Sequence, residues 1–126
     1  MEDNKAFTLV VDDEIDMCWA LENILKTNGL CLKSAVSGQE ALQLIKLYHF
    51  QLAFLDAKLP DIDGLELARL IKIANPTIPI MMISGYFYKD DVMVQKALSE
   101  DLICGFISKP FLHSEIIKVL KRFNSF

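Results

Sequence analysis

Short apolar stretches and longer amphipathic stretches alternate along the chain, and this alternation predicts five strands and five helices. The apolar stretches are rich in Val, Ile, Leu and Phe, whereas the segments between them repeat apolar residues at helical spacing. The predicted strands cover residues 7–11, 30–36, 52–55, 78–83 and 102–108. Strands that alternate with helices predict a parallel sheet covered by helices on both faces, a three-layer, doubly wound α/β fold.

Capping and turn residues support the helix assignments. Ser37 and Glu40 form a capping box that begins the second helix. The third helix begins at Asp63 or Gly64 and ends at Asn75-Pro76. The side chains expected to face the core are Met17, Ala20, Leu21, Ile24 and Leu25 in the first helix, Ala41, Leu42, Leu44, Ile45 and Tyr48 in the second, Leu67, Leu70, Ile71 and Ala74 in the third, Val92, Met93 and Ala97 in a fourth over residues 89–99, and Ile116, Ile117, Leu120 and Phe123 in the last.

Composition and charge narrow the class of protein. A chain of 126 residues with 52% hydrophobic residues is long enough for one domain with a substantial core, which we expect to cover residues 1–126. The net charge of −4 argues against general binding to nucleic acid or to a membrane surface. The odd set of scattered cysteines (Cys18, Cys31 and Cys104) and a polar start without a signal peptide predict a cytoplasmic protein.

Polar side chains follow four of the predicted strands. Asp12 and Asp13 come after the first strand, Asp56 after the third, Ser84 after the fourth and Lys109 after the fifth. Because parallel strands end at the same edge of a sheet, these side chains can converge. Three close carboxylates repel one another unless a cation lies between them, and Mg²⁺ prefers oxygen ligands. With a lysine and a hydroxyl opposite, the set is suited to phosphoryl transfer onto Asp56 as the nucleophile.

In these motifs the chain resembles the receiver domain of two-component response regulators over nearly its whole length. The matching motifs are Asp12-Asp13, the pattern DxxxPxxDG from Asp56 to Gly64, Ser84-Gly85 and Lys109-Pro110-Phe111. Each motif alone is weak, but together, in this order and at strand ends, they are specific. The resemblance implies a flavodoxin-like fold with strand order 2-1-3-4-5.

The resemblance also implies the roles of the acidic residues. Asp56 would accept a phosphoryl group from a partner histidine kinase or histidine phosphotransfer protein. Mg²⁺, with Mn²⁺ as an alternative ion, would be held by Asp13, Asp56 and the backbone carbonyl of Lys58, with Asp12 helping through water.

The remaining roles implied by the resemblance concern the switch. Lys109 would contact the phosphoryl group and precede a cis peptide bond to Pro110. Ser84 would move toward the phosphoryl oxygens and Phe106 would turn inward, which shifts the face formed by helix 4, strand 5 and helix 5. A downstream output domain or protein would read this shift, with no direct contact between this domain and nucleic acid or membrane.

Two surface features carry alternative interpretations. Trp19 faces nearly opposite the inward stripe of the first helix, so it is either a contact for a phosphodonor protein or an ordinary exposed side chain. Lys58 and Tyr86 each lie two residues after a site residue, where they would slow loss of the phosphoryl group or simply point to solvent.

Four functions can be weighed against one another. The leading one is a switch that captures and slowly hydrolyses its own acyl phosphate and is not a multiple-turnover enzyme. A pseudo-receiver scaffold would lack phosphorylation, and an intact set of site residues weighs against it. An aspartyl-phosphate phosphatase would carry a second Asp two residues after the nucleophile, where this chain has Lys58. An FMN protein is disfavoured because the loop at Asp12-Asp13-Glu14 would repel phosphate.

Overall fold

The computed structural model describes residues 5–85 and 91–123, which form one parallel sheet with helices packed on both faces. The elements in chain order are β1 (Ala6–Val11), α1 (Ile15–Thr27), β2 (Leu32–Ala35), α2 (Gly38–Leu47), β3 (His49–Asp56), α3 (Gly64–Ala74), β4 (Ile80–Ser84), α4 (Val92–Ser99), β5 (Gly105–Ser108) and α5 (His113–Arg122). The sheet order is β2-β1-β3-β4-β5 with every neighbouring pair parallel, so the predicted fold class and strand order are confirmed.

The sheet divides the core into two apolar clusters, one on each face. On one face, side chains of α2, α3 and α4 pack with alternate residues of the central strands; Leu67 and Ile71 of α3 are fully buried there. On the other face, α1 and α5 contribute Leu25 and Ile116, which pack against Phe54 of β3. A sheet covered on both sides explains why the central strands are almost entirely apolar.

Side-chain caps fix where two of the helices begin. The Ser37 hydroxyl accepts a hydrogen bond from the Glu40 amide at 3.2 Å, and the Glu40 carboxylate accepts one from the Val36 amide at 3.0 Å. Ser37 is thus the predicted cap of α2, but the capping box is incomplete, because Glu40 binds the amide of Val36, one residue before the cap, and not that of Ser37. The Asp63 carboxylate accepts a hydrogen bond from the Leu65 amide at 2.7 Å and begins α3. Because these side chains satisfy helical amides that have no partner within the helix, both starts are well defined.

The inward face predicted for α4 is wrong in two of its three residues. Val92 is 81% exposed and Met93 is 51% exposed, whereas Val94 and Ala97 are buried. The carboxylate of Asp91 accepts a hydrogen bond from the Met93 amide at 2.8 Å and fixes the first turn. Because α4 begins there, the side chains that face the sheet are those of Val94 and Ala97, which lie three residues apart on one side of the helix. The predicted start at residue 89 lies outside the described residues.

The last strand is shorter than the sequence suggests. Leu102 and Ile103 are buried, but their amides donate to the carbonyl of Ala97 at 2.9 and 3.3 Å, so they close the end of α4. Pairing with β4 begins at Cys104, whose amide donates to the carbonyl of Ile80 at 2.7 Å. The apolar character of residues 102 and 103 reflects burial of a turn and not membership of the sheet.

Tyr48 and Ala74, which were also predicted to face the core from their helices, do not do so. Tyr48 follows α2 in an extended conformation, and its ring packs edge-on against Phe7 with 5.3 Å between centroids. Ala74, the last residue of α3, is exposed.

In the two described stretches, no helix is both long enough and apolar enough to span a lipid bilayer.

Candidate functional site

Three carboxylates meet at the carboxyl edge of the sheet. Asp12 follows β1 and Asp56 ends β3, and the neighbouring pair Val11 and Leu55 is in register. One carboxylate oxygen from each of Asp12, Asp13 and Asp56 lies within 4.8 Å of the other two. Asp12 and Asp56 are buried, whereas Asp13 is exposed. The structure therefore brings together the acidic residues that the sequence placed at this edge.

Lys109 projects its ammonium into this cluster from the end of β5. Its Nζ lies 2.8 Å from Asp12 Oδ2 and 3.4 Å from Asp56 Oδ2. A third carboxylate oxygen, Oε1 of Glu14, lies 2.5 Å from the same nitrogen. The Lys109 side chain is 8% exposed, so its charge acts in a region that little water reaches. The predicted cis peptide bond between Lys109 and Pro110 is confirmed.

Burial and charge set the ionisation of the two central groups. Burial, followed by the charge of Asp12, raises the pKa of Asp56 to about 6, although the ammonium of Lys109 opposes this rise. Burial alone would lower the pKa of Lys109, but hydrogen bonds to Asp12 and Glu14 raise it above its ordinary value. The ammonium therefore stays charged while the Asp56 carboxylate is held in a crowded anionic environment.

The donor set fits a hard divalent cation. Three carboxylates supply oxygen ligands within one ion's reach, and Asp13 is open to solvent, so water can complete the coordination. A divalent charge would also relieve the repulsion that raises the pKa of Asp56. No sulfur or imidazole ligand belongs to this group of residues, which favours Mg²⁺ or Mn²⁺ over softer metals.

The loop after Asp56 is held close to the site by its own backbone. The amide of Lys58 donates to Asp56 Oδ1 at 3.4 Å, and Lys58 and Asp63 form an antiparallel bridge. The amide of Gly64 donates to the carbonyl of Ala57 at 2.8 Å. A Cβ atom at position 64 would lie 2.3 Å from the Asp56 carbonyl oxygen, so only glycine fits there.

An open cleft of about 560 Å³ gives access to the cluster. Its walls include Asp13, Asp56, Lys58 and Lys109 from three different loops, with Glu14 at the start of α1. The Asp56 carboxylate is thus buried within the protein and still borders a space that a phosphoryl group can enter.

Comparison with known proteins agrees with this geometry. The family model described as response regulator receiver domain matches residues 8–121 of this chain. The chain belongs to this family. Membership supports a role in two-component signalling, and the receiver domain has the acidic cluster that such domains use to bind a divalent metal.

Individual relatives show how far the similarity extends. The receiver domain is 30% identical over 109 residues to the cell cycle transcriptional regulator CtrA of Caulobacter vibrioides, which covers 86% of this chain and 46% of the relative. It is 35% identical over 78 residues to the transcriptional regulatory protein ZraR of Escherichia coli, covering 62% and 18%. The chain thus spans less than half the length of these curated relatives.

Solved structures show the same fold. The receiver domain of NtrX from Brucella abortus is 32% identical with a TM-score of 0.82, covering 94% of this chain and 98% of the other. A CheY-like receiver domain protein from Methanospirillum hungatei JF-1 has a TM-score of 0.86 at 24% identity, covering 97% and 96%.

The predicted switch residues of the receiver domain have defined places in the fold. Ser84 ends β4 and is fully buried, and its backbone carbonyl accepts a hydrogen bond from the Lys109 amide at 3.0 Å. Phe106 of β5 is half-buried and packs against the cluster under α2, α3 and α4. Trp19 is 68% exposed, as the helical period predicted. Tyr86 lies outside the described residues.

Two acidic residues have contacts that the sequence did not reveal. Asp61 lies in the turn that precedes α3, but its carboxylate accepts hydrogen bonds from the amides of Gly38 at 2.8 Å and Gln39 at 3.0 Å, at the start of α2. These bonds lower the pKa of Asp61. Glu14 lies just before the first turn of α1, and it pairs with Lys109 across 95 positions of sequence.

Proposed function

We propose that this receiver domain is a phosphorylation-dependent switch in which Asp56 accepts a phosphoryl group from a phosphohistidine of a histidine kinase or phosphotransfer protein. The observation that carries the proposal is the position of the Asp56 carboxylate. It borders an open cleft, with two further carboxylates beside it and a buried ammonium 3.4 Å away. This arrangement combines a nucleophile with positive charge directed at the place where phosphoryl oxygens would lie.

The transfer exchanges one bond to phosphorus for another. An oxygen of Asp56 attacks the phosphorus, the new O–P bond forms as the N–P bond breaks, and the departing imidazole nitrogen keeps the electron pair and takes up a proton. Lys109 would donate a hydrogen bond to a phosphoryl oxygen, since its ammonium already lies beside Asp56. Later attack by water on the acyl phosphate would restore the carboxylate and release phosphate. The domain would thus slowly hydrolyse its own acyl phosphate.

A divalent ion belongs to this proposal as well. Asp13 and Asp56 would hold Mg²⁺ directly, with the backbone carbonyl of Lys58 as a third ligand and Asp12 acting through water; Mn²⁺ is an alternative. When bound, the ion supplies positive charge to the transferring phosphoryl oxygens. Both oxygens of Asp12 already have partners, Lys109 Nζ at 2.8 Å and the Glu14 amide at 2.9 Å, which supports an indirect role for Asp12.

The switch would act through Ser84 and Phe106. Ser84 lies on the strand next to Asp56, since Asp56 pairs with Ile83 in the register of β3 and β4. A phosphoryl group adds about −1.5 to −2 charge, which a serine hydroxyl can partly satisfy. Movement of Ser84 toward it would allow Phe106 to turn inward and shift the face of α4, β5 and α5. An output domain or protein would then bind that face.

Trp19 is proposed as part of the contact with the phosphodonor protein. It is 68% exposed on α1, and Ile15, one turn earlier on the same side of the helix, is 78% exposed. Ile15 lies two residues before Met17 and Trp19 lies two residues after it, and Met17 lines the cleft. In Trp19→Ala, phosphotransfer from a cognate donor should slow while labelling by acetyl phosphate stays at the wild-type rate. An unchanged rate from the protein donor would overturn this contact.

Labelling with acetyl phosphate and Mg²⁺ tests the central proposal. The wild-type domain should gain one phosphoryl group by intact-mass spectrometry, and Asp56→Asn should gain none. Asp16→Asn, which removes a carboxylate from the exposed first turn of α1, is the matched control and should label normally. Labelling that persists in Asp56→Asn would disprove the assignment of the acceptor.

Two further measurements separate the alternatives. Beryllofluoride with Mg²⁺ should cause large shifts in the NMR spectrum of a switch and none in that of a pseudo-receiver scaffold. Multiple turnover of p-nitrophenyl phosphate would instead indicate an aspartyl-phosphate phosphatase. The exposed Lys58 stands where such an enzyme needs an acid, so we expect no sustained turnover of this phosphoester.

A further inference from the structure

Glu14 makes the shortest of the three contacts that surround the Lys109 ammonium. The distances from Nζ are 2.5 Å to Glu14, 2.8 Å to Asp12 and 3.4 Å to Asp56. An ammonium has three N–H donors, and three carboxylate oxygens among the described residues surround this one. The contact with Asp56 is the longest, so Lys109 is drawn toward α1 and away from the proposed phosphoacceptor.

The Glu14 side chain has no other structural task in its own helix. It occupies the cap position of α1, but it makes no capping hydrogen bond there, and its side chain is 61% exposed. The Asp12 carboxylate, in contrast, is 8% exposed and also accepts a hydrogen bond from the Glu14 amide at 2.9 Å. Releasing Lys109 from Glu14 costs little because water can solvate the freed carboxylate, whereas releasing it from Asp12 would leave a buried charge without its partner.

We propose that Glu14 is a positioning residue that restrains Lys109 and gives it up when a phosphoryl group arrives on Asp56. This inference rests on the proposed function of Asp56 and Lys109. A phosphoryl oxygen would take the N–H that Glu14 accepts in the structure, and Glu14 would turn to solvent. Its carboxylate also lines the cleft, where it opposes the entry of an anionic phosphodonor. Both effects make the unmodified state harder to phosphorylate.

The matched substitutions Glu14→Gln and Asp16→Asn test the proposal. Each removes one negative charge near the start of α1, but of the two residues only Glu14 contacts Lys109 and lines the cleft. In Glu14→Gln, the rate constant for labelling by acetyl phosphate should rise about fivefold, the effect of one exposed charge pair. In Asp16→Asn it should rise less than about twofold.

Binding of beryllofluoride in Mg²⁺ gives a readout that needs no turnover. The single tryptophan, Trp19, lies on α1 close to Glu14 and can report binding by fluorescence. The affinity for beryllofluoride should increase about fivefold in Glu14→Gln and stay near that of the wild type in Asp16→Asn.

The possible failures can be told apart. Wild-type rates and affinity in Glu14→Gln, or equal gains in Asp16→Asn, would overturn the role of Glu14 while Asp56-dependent labelling stands. If no variant and no wild-type protein takes up label at Asp56, the proposed function itself fails, and the role of Glu14 fails with it.

Discussion

The ammonium of Lys109 lies 3.4 Å from the carboxylate of Asp56, although the two residues are 53 positions apart, Asp56 at the end of β3 and Lys109 just after β5. The two side chains are only 8% and 4% exposed, and the Asp56 carboxylate also has Asp12 and Asp13 as close neighbours. One ammonium therefore balances more negative charge than it can neutralise. Burial, together with this excess of negative charge, disfavours the ionised form of Asp56.

Asp56→Asn should make the metal-free domain more stable at alkaline pH. The pKa of Asp56 is raised from 3.8 to about 6 in the folded protein, so the folded state holds its proton more tightly than the unfolded state does. Ionisation thus costs stability, fully above pH 6 and not at all below about pH 4. We expect Asp56→Asn to raise the free energy of unfolding by about 2 kcal/mol at pH 8, with the gain shrinking as pH falls toward 4.

Urea unfolding with EDTA at pH 8 and pH 5 measures this difference. Added Mg²⁺ should stabilise the wild type and have little effect on Asp56→Asn, because the variant lacks one of the three carboxylates. A variant that is less stable than wild type at pH 8 would contradict the claim that burial and the charge of Asp12 raise the energy of the ionised form.

Asp61→Ala should destabilise the domain by freeing the first amides of α2. The carboxylate accepts hydrogen bonds from Gly38 and Gln39, and its pKa lies below the ordinary 3.8 in the folded protein. A lowered pKa means that the stabilisation is complete above about pH 4 and is lost as pH falls through the folded-state value. Thermal unfolding should show a lower midpoint for Asp61→Ala at pH 7, and the two midpoints should approach each other at pH 2–3. If the difference between the two unfolding midpoints stayed constant from pH 7 to pH 2–3, the Asp61 carboxylate would not be the cause of the stabilisation.

Gly64→Ala should be far more damaging than Gly29→Ala. A Cβ at position 64 would lie 2.3 Å from the Asp56 carbonyl oxygen and 2.6 Å from the Ala57 Cα, both in backbone that cannot move aside easily. At Gly29, with φ of +78°, a Cβ meets nothing within 4 Å, so only left-handed strain remains, about 1 kcal/mol. We expect Gly64→Ala to cost at least about 3 kcal/mol. Similar urea midpoints for the two variants would show that the loop after Asp56 has room to relax.

Thr8→Val should leave stability unchanged or increase it. The Thr8 hydroxyl in β1 is fully buried, and no hydrogen-bond partner for it is found within residues 5–85 and 91–123. Replacing an unsatisfied hydroxyl by a methyl group of the same shape removes a desolvation cost, a gain of up to about 1 kcal/mol. Thr8→Ala is the control, since it also removes a methyl group and should destabilise. A loss of stability in Thr8→Val would indicate a hydrogen bond to buried water.

The sequence by itself determined the parallel sheet, its strand order through the family resemblance, and the convergence of Asp12, Asp13, Asp56 and Lys109. The sheet and the convergence follow from local patterns, because apolar runs form strands and parallel strands end on one edge; the strand order does not follow from them. The cap at Ser37 was predictable for the same reason, since the Glu40 amide that it binds lies within one helical turn.

Only the tertiary structure decided which way the loop carboxylates point and where the ends of α4 lie. Glu14 and Asp61 are ordinary surface acids in the sequence, yet one binds Lys109 and the other binds α2. The apolar character of Leu102 and Ile103 predicted a strand, but their amides donate hydrogen bonds to the carbonyl of Ala97 in the preceding helix. In each case the partner is set by how separate loops and layers pack, and a local pattern of apolar and polar residues carries no information about that packing.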